Sequence, residues 1–248
     1  MFMEKLKNYI FFIIYIFLNP HLIFVHLRGI YLPVYIQFEW LEKYNIKTVV
    51  DVGTYHGHVS KSLHHLFPNA KIFMFDPIDE NIQIILKSLK SKNIIINKIA
   101  HSNKTGKTTF YINDYIPSSS ILEVEKESQK KFPYMAKMCK VNVKTTTLDS
   151  YFKNKKLEDM IFLKMDTQGA EKFILNGGKQ FLKNVSIIHI ETFFDSMYKN
   201  QGLFNDIYDI LVKLGFKYMS TAKEAQFYPT FDLEPITNSI FINTNIND

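Results

Sequence analysis

Short runs of apolar, mostly β-branched residues recur along the chain, and an acidic residue stands at the end of several of them. Four such runs cover residues 47–52, 71–75, 160–165 and 185–190, and their acids are Asp51, Asp76, Asp166 and Glu191. Segments with apolar residues at helical spacing separate them, for example 59–66, 82–89 and 207–214. Strand-like runs that alternate with amphipathic helices are typical of an α/β fold with a mostly parallel sheet. Because parallel strands end at the same edge, the pattern predicts several carboxylates along one rim of the sheet.

Further strands are predicted around this core. Residues 93–100 have the pattern of a third buried strand, and its end at Ala100 and His101 should open on the same edge as Gly53. Residues 108–112 and 141–147 are also strand-like. Residues 216–219 and 239–243, joined by the loop 222–238, predict a β-hairpin at one sheet edge. Asp79 is expected to be the N-cap of the helix after the second strand.

The turn after the first strand combines Asp51 with Gly53 and Gly57 and leads into a helix. Glycines at such a turn let the backbone pass close to a ligand, and the N–H groups of the new helix face that ligand. A carboxylate at Asp51 would disfavour a pyrophosphate and favour an ammonium or a hydroxyl. Tyr55 also stands where a dinucleotide-binding turn needs its second glycine. The turn, with Thr54 and Tyr55 beside Gly53, therefore favours S-adenosylmethionine over a dinucleotide.

Asp76 supports this interpretation through its position. It ends the second apolar run, near the place about 20 residues downstream where doubly wound folds carry the acid that binds the ribose hydroxyls. The structural alternative for Asp51 and Asp76 is an ordinary carboxylate at a strand end. The two acids together at this spacing favour the ribose-binding interpretation.

Composition narrows the function without identifying it. The chain has 248 residues and a net charge of +6, carried by scattered lysines and a single arginine, Arg28. Without arginine forks or interleaved aromatic motifs, nucleic-acid binding is not expected. Cys139 is the only cysteine, which excludes an intrachain disulfide and a tetrahedral thiolate metal site. These features fit a reducing compartment, and we expect the protein to be cytoplasmic.

The chain is divided into an N-terminal extension, residues 1–44, and a second domain, residues 45–248. The extension contains the apolar stretches 9–18 and 22–25, interrupted at Asn19-Pro20-His21. Each stretch is shorter than the ~20 residues that a membrane-spanning helix requires, and no small-residue cleavage site indicates a signal peptide. The alternatives are a helix packed on the protein or a partner subunit, an anchor on the inner face of the membrane through residues 9–27, and a true span.

Several motifs occur in an order that resembles the FkbM family. They are Asp51-Val-Gly53 with Gly57, Phe75-Asp76-Pro77, Thr147-Leu-Asp-Ser-Tyr151, Lys164-Met-Asp-Thr-Gln-Gly-Ala-Glu171 and Ile190-Glu191. The family consists of S-adenosylmethionine-dependent methyltransferases that usually O-methylate sugars or secondary metabolites. The resemblance covers about residues 45–245. It implies the Rossmann-like class I methyltransferase fold: a mostly parallel seven-stranded sheet with an antiparallel C-terminal hairpin strand and helices on both faces.

Methyl transfer to an alcohol needs donor and acceptor held in contact and a base for the hydroxyl proton. Asp166, at the end of its strand, is the predicted base, with Glu191 and Glu171 as second choices that could instead cap the helix or hold the Asp166 loop. Gly53 and its neighbours should contact the methionine part of the cofactor, and Asp51 its amino group. The remaining predicted cofactor contacts are Asp76 at the ribose, and Ala100 and His101 at the adenine.

Three alternatives stay open at this point. A nicotinamide oxidoreductase could use a similar sheet, although the glycine pattern for it is missing. A non-catalytic, membrane-associated protein could retain the fold, with the apolar N-terminus as its only support. A metal could assist methyl transfer, since Asp166 and Glu191 are hard oxygen donors, but no spacing establishes a metal site. The acceptor pocket is expected to come from residues 113–140 and 222–238, which carry no decipherable signature.

Overall fold

The computed structural model describes residues 14–222 and 236–246. Its strands are β1 (Thr48–Val52), β2 (Lys71–Phe75), β3 (Ile94–Asn97), β4 (Ala100–His101), β5 (Gly106–Asn113), β6 (Met138–Thr146), β7 (Ile161–Met165), β8 (Val185–Phe193), β9 (Phe216–Thr221) and β10 (Ile236–Asn243). Its helices are α1 (His21–Leu27), α2 (Leu32–Phe38), α3 (His58–Leu66), α4 (Asp79–Ser88), α5 (Lys126–Lys131), α6 (Leu148–Phe152), α7 (Glu171–Asn176) and α8 (Phe204–Lys213).

The main sheet has seven strands in the order β3-β2-β1-β7-β8-β10-β9. From β3 to β8 all neighbours are parallel, whereas β10 runs antiparallel to both β8 and β9. The predicted C-terminal hairpin is therefore present, with β10 inserted between β8 and the edge strand β9. This topology confirms the predicted mostly parallel, Rossmann-like sheet with one antiparallel strand near its C-terminal edge.

Helices cover both faces of the sheet, as predicted. On one face, Val50 and Leu163 pack with residues of α6, α7 and α8. On the other, Val49 and Phe162 pack with residues of α2, α3 and α4. Strands buried on both faces cannot alternate apolar and polar residues, which explains the continuous apolar runs in the sequence.

The third predicted strand is wrong in its extent. β3 ends at Asn97, and Ala100–His101 form β4 in a separate three-stranded sheet with the order β4-β6-β5. The Asn97 side-chain amide donates to the Met74 carbonyl (3.1 Å) and accepts from the Tyr151 hydroxyl (2.7 Å), and Ile99 N–H donates to the Asn97 carbonyl in a tight turn. These bonds turn the chain out of the main sheet, although the apolar pattern continues to Ala100. The strand-like runs 108–112 and 141–147 lie in β5 and β6 and pair antiparallel in the small sheet.

The predicted N-cap at Asp79 is also wrong. Ile78 is the N-cap residue, with extended backbone angles and no side-chain capping bond, and Asp79 is the first residue of α4. A carboxylate in the first turn still interacts favourably with the helix dipole. Asp79 also forms a surface ion pair with Lys98.

The N-terminal helices α1 and α2 pack on the rest of the protein through only part of their apolar surface. Leu22, Val25 and Tyr35 are buried in a cluster of their own, and Phe38 joins the core beneath the sheet. Within the described residues, no helix is long and apolar enough to cross a membrane. The domain boundary between residues 44 and 45 stays a prediction.

Candidate active site

The carboxyl ends of β1, β2 and β7 open into one cavity of about 180 Å³. Six of the residues predicted from the sequence line it: Gly53, Tyr55, Asp76, Ala100, His101 and Asp166. Five others lie outside its lining: Asp51, Thr54, Gly57, Glu171 and Glu191. The rim of acids expected from the strand pattern is therefore present, but its members divide into those that face the cavity and those that support it.

Gly53 brings the turn after β1 against the turn after β7. Its φ of +78° is unfavourable for a residue with a side chain, and a Cβ there would lie 1.9 Å from the Asp166 backbone oxygen. Gly57 (φ +79°) has a different role, because a Cβ there would approach the Met74 side chain at 3.0 Å. Gly53 thus shapes the cavity, and Gly57 packs the start of α3 onto the sheet.

Asp51 is fully buried behind the turn. Its Oδ2 accepts hydrogen bonds from the hydroxyls of Thr54 (2.8 Å) and Ser60 (2.6 Å). Because Thr54 lies in the turn and Ser60 in α3, the Asp51 carboxylate fixes the glycine turn to the start of that helix. The structure therefore does not bring Asp51 or Thr54 to the cavity surface.

Lys164 connects the glycine turn to Asp51 and Asp166. It was not among the predicted site residues. It is only 5% exposed, and its Nζ donates to the Gly53 carbonyl (3.0 Å). The same Nζ lies 3.5 Å from Asp51 Oδ1 and 3.5 Å from Asp166 Oδ2. Burial alone would lower the pKa of Lys164, but the carboxylates of Asp166 and Asp51 outweigh it and raise that pKa above its usual value. The sequence did contain one indication of this buried charge, because a lysine interrupts the apolar run 161–165.

Asp76 faces the cavity and connects the turn after β1 to the start of α4. Its Oδ2 accepts from the Tyr55 N–H (3.1 Å), while Oδ1 accepts from the Ile78 N–H (2.9 Å) and the Asn81 amide (3.1 Å). Burial raises the pKa of Asp76 to about 6, although these hydrogen bonds oppose the rise. An ionised carboxylate has about four lone-pair sites, so one remains for a ligand hydroxyl.

Asp166 is partly exposed to the cavity and is oriented by a neighbouring amide. Gln168 Nε2 donates to Asp166 Oδ1 (3.0 Å) and to Glu191 Oε2 (2.8 Å). The Tyr198 hydroxyl donates to Gln168 Oε1 (3.0 Å), which fixes the orientation of the amide. Gln168 has a left-handed φ of +57°, and the sequence alone gave no indication of this network.

The two glutamates support the loop of Asp166 from outside the cavity. Glu171 Oε1 accepts from the N–H (2.6 Å) and the hydroxyl (2.8 Å) of Thr167, so it holds the loop that carries Asp166. Burial raises the pKa of Glu171 to about 7. Burial, together with the charges of Asp166 and Glu171, raises the pKa of Glu191 well above its usual value.

Ala100 and His101 form a side wall of the cavity, although they lie in β4 of the small sheet and not, as predicted, at the end of the third strand of the main sheet. The His101 ring contacts Phe75 edge-on, with centroids 4.3 Å apart. Burial lowers the pKa of His101 to about 3, so this imidazole is neutral at physiological pH. This wall of the cavity is therefore uncharged, with a neutral imidazole beside an aromatic ring.

Within residues 14–222 and 236–246, no group of three or more His, Cys, Asp or Glu side chains is arranged to hold a metal ion. The site does have the features that an adenosyl cofactor requires. The turn at Gly53 exposes backbone at the cavity, Asp76 retains one unused acceptor site, and Ala100 and His101 form one wall. The fold and this site together define a Rossmann-like methyltransferase.

Comparison with known proteins identifies the family. Residues 51–218 match the family described as Methyltransferase FkbM domain. A relative from Sinorhizobium fredii, named 2-O-methyltransferase NoeI, is 23% identical over 171 residues, which are 66% of this chain and 70% of the relative. The chain belongs to the FkbM family of methyltransferases, and S-adenosyl-L-methionine is the cofactor. This membership favours methyl transfer over the nicotinamide-dependent alternative.

Two solved structures align with this chain at low sequence identity. Methyltransferase FkbM from Methylobacillus flagellatus aligns with a TM-score of 0.47 at 11% identity and covers 80% of this chain, but this chain spans only 44% of that one. A SAM-dependent methyltransferase from Aquifex aeolicus aligns with a TM-score of 0.43 at 14% identity over 85% of this chain and 91% of its own.

Proposed function

We propose that this protein transfers the methyl group of S-adenosyl-L-methionine to a hydroxyl of a sugar, a glycan or a secondary metabolite. The observation that carries the proposal is the position of Asp166, whose carboxylate faces the cavity directly beside the turn at Gly53. The Sinorhizobium fredii relative is named as a 2-O-methyltransferase, which supports an oxygen acceptor.

The residues around the cavity have different proposed roles toward the cofactor. When bound, the cofactor supplies an electrophilic methyl group on its sulfonium. Gly53 and Tyr55 would contact its methionine part, Asp76 its ribose hydroxyls, and Ala100 and His101 its adenine. Asp51, Thr54 and Gly57 would act indirectly by holding the turn, because the structure places them behind it.

Asp166 would take the proton of the acceptor hydroxyl as the new carbon–oxygen bond forms and the carbon–sulfur bond breaks. Its Oδ1 already accepts from Gln168, so Oδ2 is the atom for this proton. The Lys164 ammonium, 3.5 Å from Oδ2, would hold this oxygen in position before transfer. Glu171 and Glu191 would position Asp166 through Thr167 and Gln168.

The test of the base is Asp166→Asn. General-base catalysis contributes about 10²–10⁴-fold, so turnover should fall by at least about a hundredfold. Affinity for S-adenosylhomocysteine, measured by calorimetry, should stay close to wild type. Turnover is measured by transfer of labelled methyl to a panel of sugar and lipid acceptors.

The matched control is Asp209→Asn, an exposed aspartate on α8. It should leave both turnover and cofactor affinity unchanged. Turnover near wild type in Asp166→Asn would remove Asp166 from the mechanism. Failure of the wild-type protein to bind S-adenosylhomocysteine would favour the non-catalytic alternative.

We also propose that the enzyme works at a membrane surface, through residues 9–27. In the described part of this segment, Phe17 is 82% and Leu27 75% exposed, and Leu18 and Phe24 are also largely exposed. The sequence contains no Asp or Glu between Glu4 and Glu39, whereas Arg28 lies beside this apolar surface. An apolar segment without acidic residues, on a chain of net charge +6, suits a bilayer with anionic headgroups.

A further inference from the structure

The only arginine of the chain lies at the C-terminal end of α1, in contact with α3. Arg28 Nη1 is 3.4 Å from Nδ1 of His65. Burial lowers the pKa of His65, and the charge of Arg28 lowers it further, so the ring is neutral at physiological pH. Because an arginine side chain can only donate, Nδ1 accepts this bond and the ring proton is on Nε2. His65 therefore orients the guanidinium and retains one N–H donor of its own.

A second cation lies beside Arg28. The Lys61 Nζ atom is 3.3 Å from the position that a Cβ of Gly29 would occupy, so the ammonium lies over the residue that follows Arg28. Lys61 and His65 are one turn apart on α3, and their side chains therefore share one face of that helix. Arg28, Lys61 and His65 thus form one group, which we call the α1–α3 basic cluster.

The α1–α3 basic cluster has no ion pair among the residues that the structure describes, 14–222 and 236–246. Neither Arg28 nor Lys61 has a carboxylate within ion-pair distance there. The charge of Glu42 acts on His65 and partly opposes the lowering of its pKa, but Glu42 already accepts from the Tyr35 hydroxyl (3.3 Å). Like charges side by side repel each other, and an anion bound between them removes that repulsion. The cluster therefore has the charge of an anion site.

The arrangement of its donors indicates which anion fits. The chain otherwise uses lysine as its strongly basic residue, and its single arginine stands here. A guanidinium presents its N–H donors as a planar fork that matches two oxygens, whereas an ammonium acts as a point charge. A carboxylate has only two oxygens, which the fork alone would occupy. A phosphate has further oxygens for Lys61 and for His65 Nε2–H.

We propose that the α1–α3 basic cluster binds a phosphate group. The fork of Arg28 contacts two oxygens, and Lys61 and His65 contact the others. The exposed apolar side chains of Phe24 and Leu27 on the neighbouring turn of α1 favour the phosphate of a membrane lipid, and a soluble phosphoester offers the same oxygens. The inference assigns a ligand to residues outside the segment 9–27 and outside the cavity, and only its lipid arm rests on the membrane proposal above.

The lipid arm of the experiment compares two vesicle preparations with the full-length protein. Both contain phosphatidylcholine, one with phosphatidic acid and the other with the carboxylate lipid cholesteryl hemisuccinate, adjusted to the same zeta potential. We expect tighter co-sedimentation with the phosphatidic acid vesicles. Arg28→Lys keeps the charge but removes the fork, and it should weaken that binding about two- to fivefold, the value of one exposed ion pair.

The soluble arm is an NMR titration of ¹⁵N-labelled full-length protein with sn-glycerol 3-phosphate, with glycerol as the uncharged comparison. The amide signals of Gly29 and His65 should shift with glycerol 3-phosphate and not with glycerol. Arg28→Lys and Lys61→Met should each raise the Kd for glycerol 3-phosphate about two- to fivefold.

The matched control for lost charge is Lys153→Met, at an exposed lysine directly after α6. It should behave as the wild type does in both arms. Affinity for S-adenosylhomocysteine should be unchanged in every variant, because none of these residues lines the cavity. Thermal unfolding shows that each variant is folded.

The two arms separate this inference from the membrane proposal. Wild-type protein that sediments with neither preparation, but whose signals shift with glycerol 3-phosphate, would support a soluble phosphoester at the cluster and count against the membrane proposal alone. Absence of a preference for phosphate in both arms overturns the inference. So does phosphate binding that stays at the wild-type level in both Arg28→Lys and Lys61→Met.

Discussion

A buried ammonium, that of Lys164, lies between the glycine turn and two of the acids at the centre of the sheet. Its register partners are Asp51 on β1 and His189 on β8, so its backbone lies within the sheet, while its Nζ reaches the Gly53 carbonyl in the turn after β1. Removing one partner from a buried ion pair leaves the other charged group without compensation. Lys164 therefore matters for stability as well as for the proposed chemistry.

We expect Lys164→Met to lower the free energy of unfolding by about 3–5 kcal/mol, because Asp51 would then be a buried charge without its cation. Urea denaturation followed by circular dichroism measures the change. The matched control is Lys172→Met, which breaks the partly exposed ion pair with Asp206 and should cost about 0–1 kcal/mol.

The double variant Asp51→Asn, Lys164→Met tests the cause. If the pair is responsible, adding Asp51→Asn to Lys164→Met should cost less than Asp51→Asn alone, because the two sites are coupled. Strict additivity, or a loss below 1 kcal/mol in Lys164→Met, would contradict the assignment.

At the scale of elements, the apolar runs were sufficient to predict the central strands, the helices between them and the C-terminal hairpin. The apolar runs did not predict the ends of elements that depend on an individual side chain. Asn97 ends β3 although the apolar pattern continues, and Ile78, which has no capping side chain, precedes α4. Gln168 and Tyr198 were missed because their contact depends on a left-handed residue and on a loop 30 residues further along the chain.

Asp76 connects elements as well, since it bonds the glycine turn after β1 to the start of α4. Its pKa rises from 3.8 to about 6 on folding, mainly through burial. The folded protein therefore holds a proton that the unfolded chain releases between these pH values, and stability falls as pH rises through this window. The rise corresponds to about 3 kcal/mol.

The pH dependence of Asp76 can be measured as a difference between variants. From pH 4 to pH 7 the wild type should lose about 3 kcal/mol of unfolding free energy relative to Asp76→Asn, which cannot titrate there. A difference between wild type and Asp76→Asn that is constant with pH would exclude the assigned titration.

At the scale of the whole molecule, the catalytic edge and the exposed N-terminal surface are separate features that different variants can test. Phe24 and Leu27 lie on α1 with their side chains largely exposed, and neither lines the cavity. Substitutions of these residues should reduce binding to membranes without changing the affinity for the cofactor.

We expect the double variant Phe24→Glu, Leu27→Glu to lose binding to vesicles of phosphatidylcholine and phosphatidylglycerol, because it places two charges in the apolar contact. Co-sedimentation measures the binding, and affinity for S-adenosylhomocysteine should not change. Val212→Glu, at an exposed apolar position on α8, is the matched control and should still sediment.

Two results would contradict the membrane assignment. One is wild-type protein that does not sediment with these vesicles. The other is wild-type protein that forms a dimer which the double variant abolishes while vesicle binding is unaffected, because the surface would then contact a second copy of the chain.

The Tyr198 hydroxyl is shared between the Ser118 carbonyl and the amide of Gln168. Replacing the segment between β5 and β6 in order to alter selectivity would therefore also change the hydrogen bonds that support the Asp166 carboxylate. A replacement segment must keep a backbone carbonyl at the position of Ser118, or the proposed base will lose part of the network that orients it.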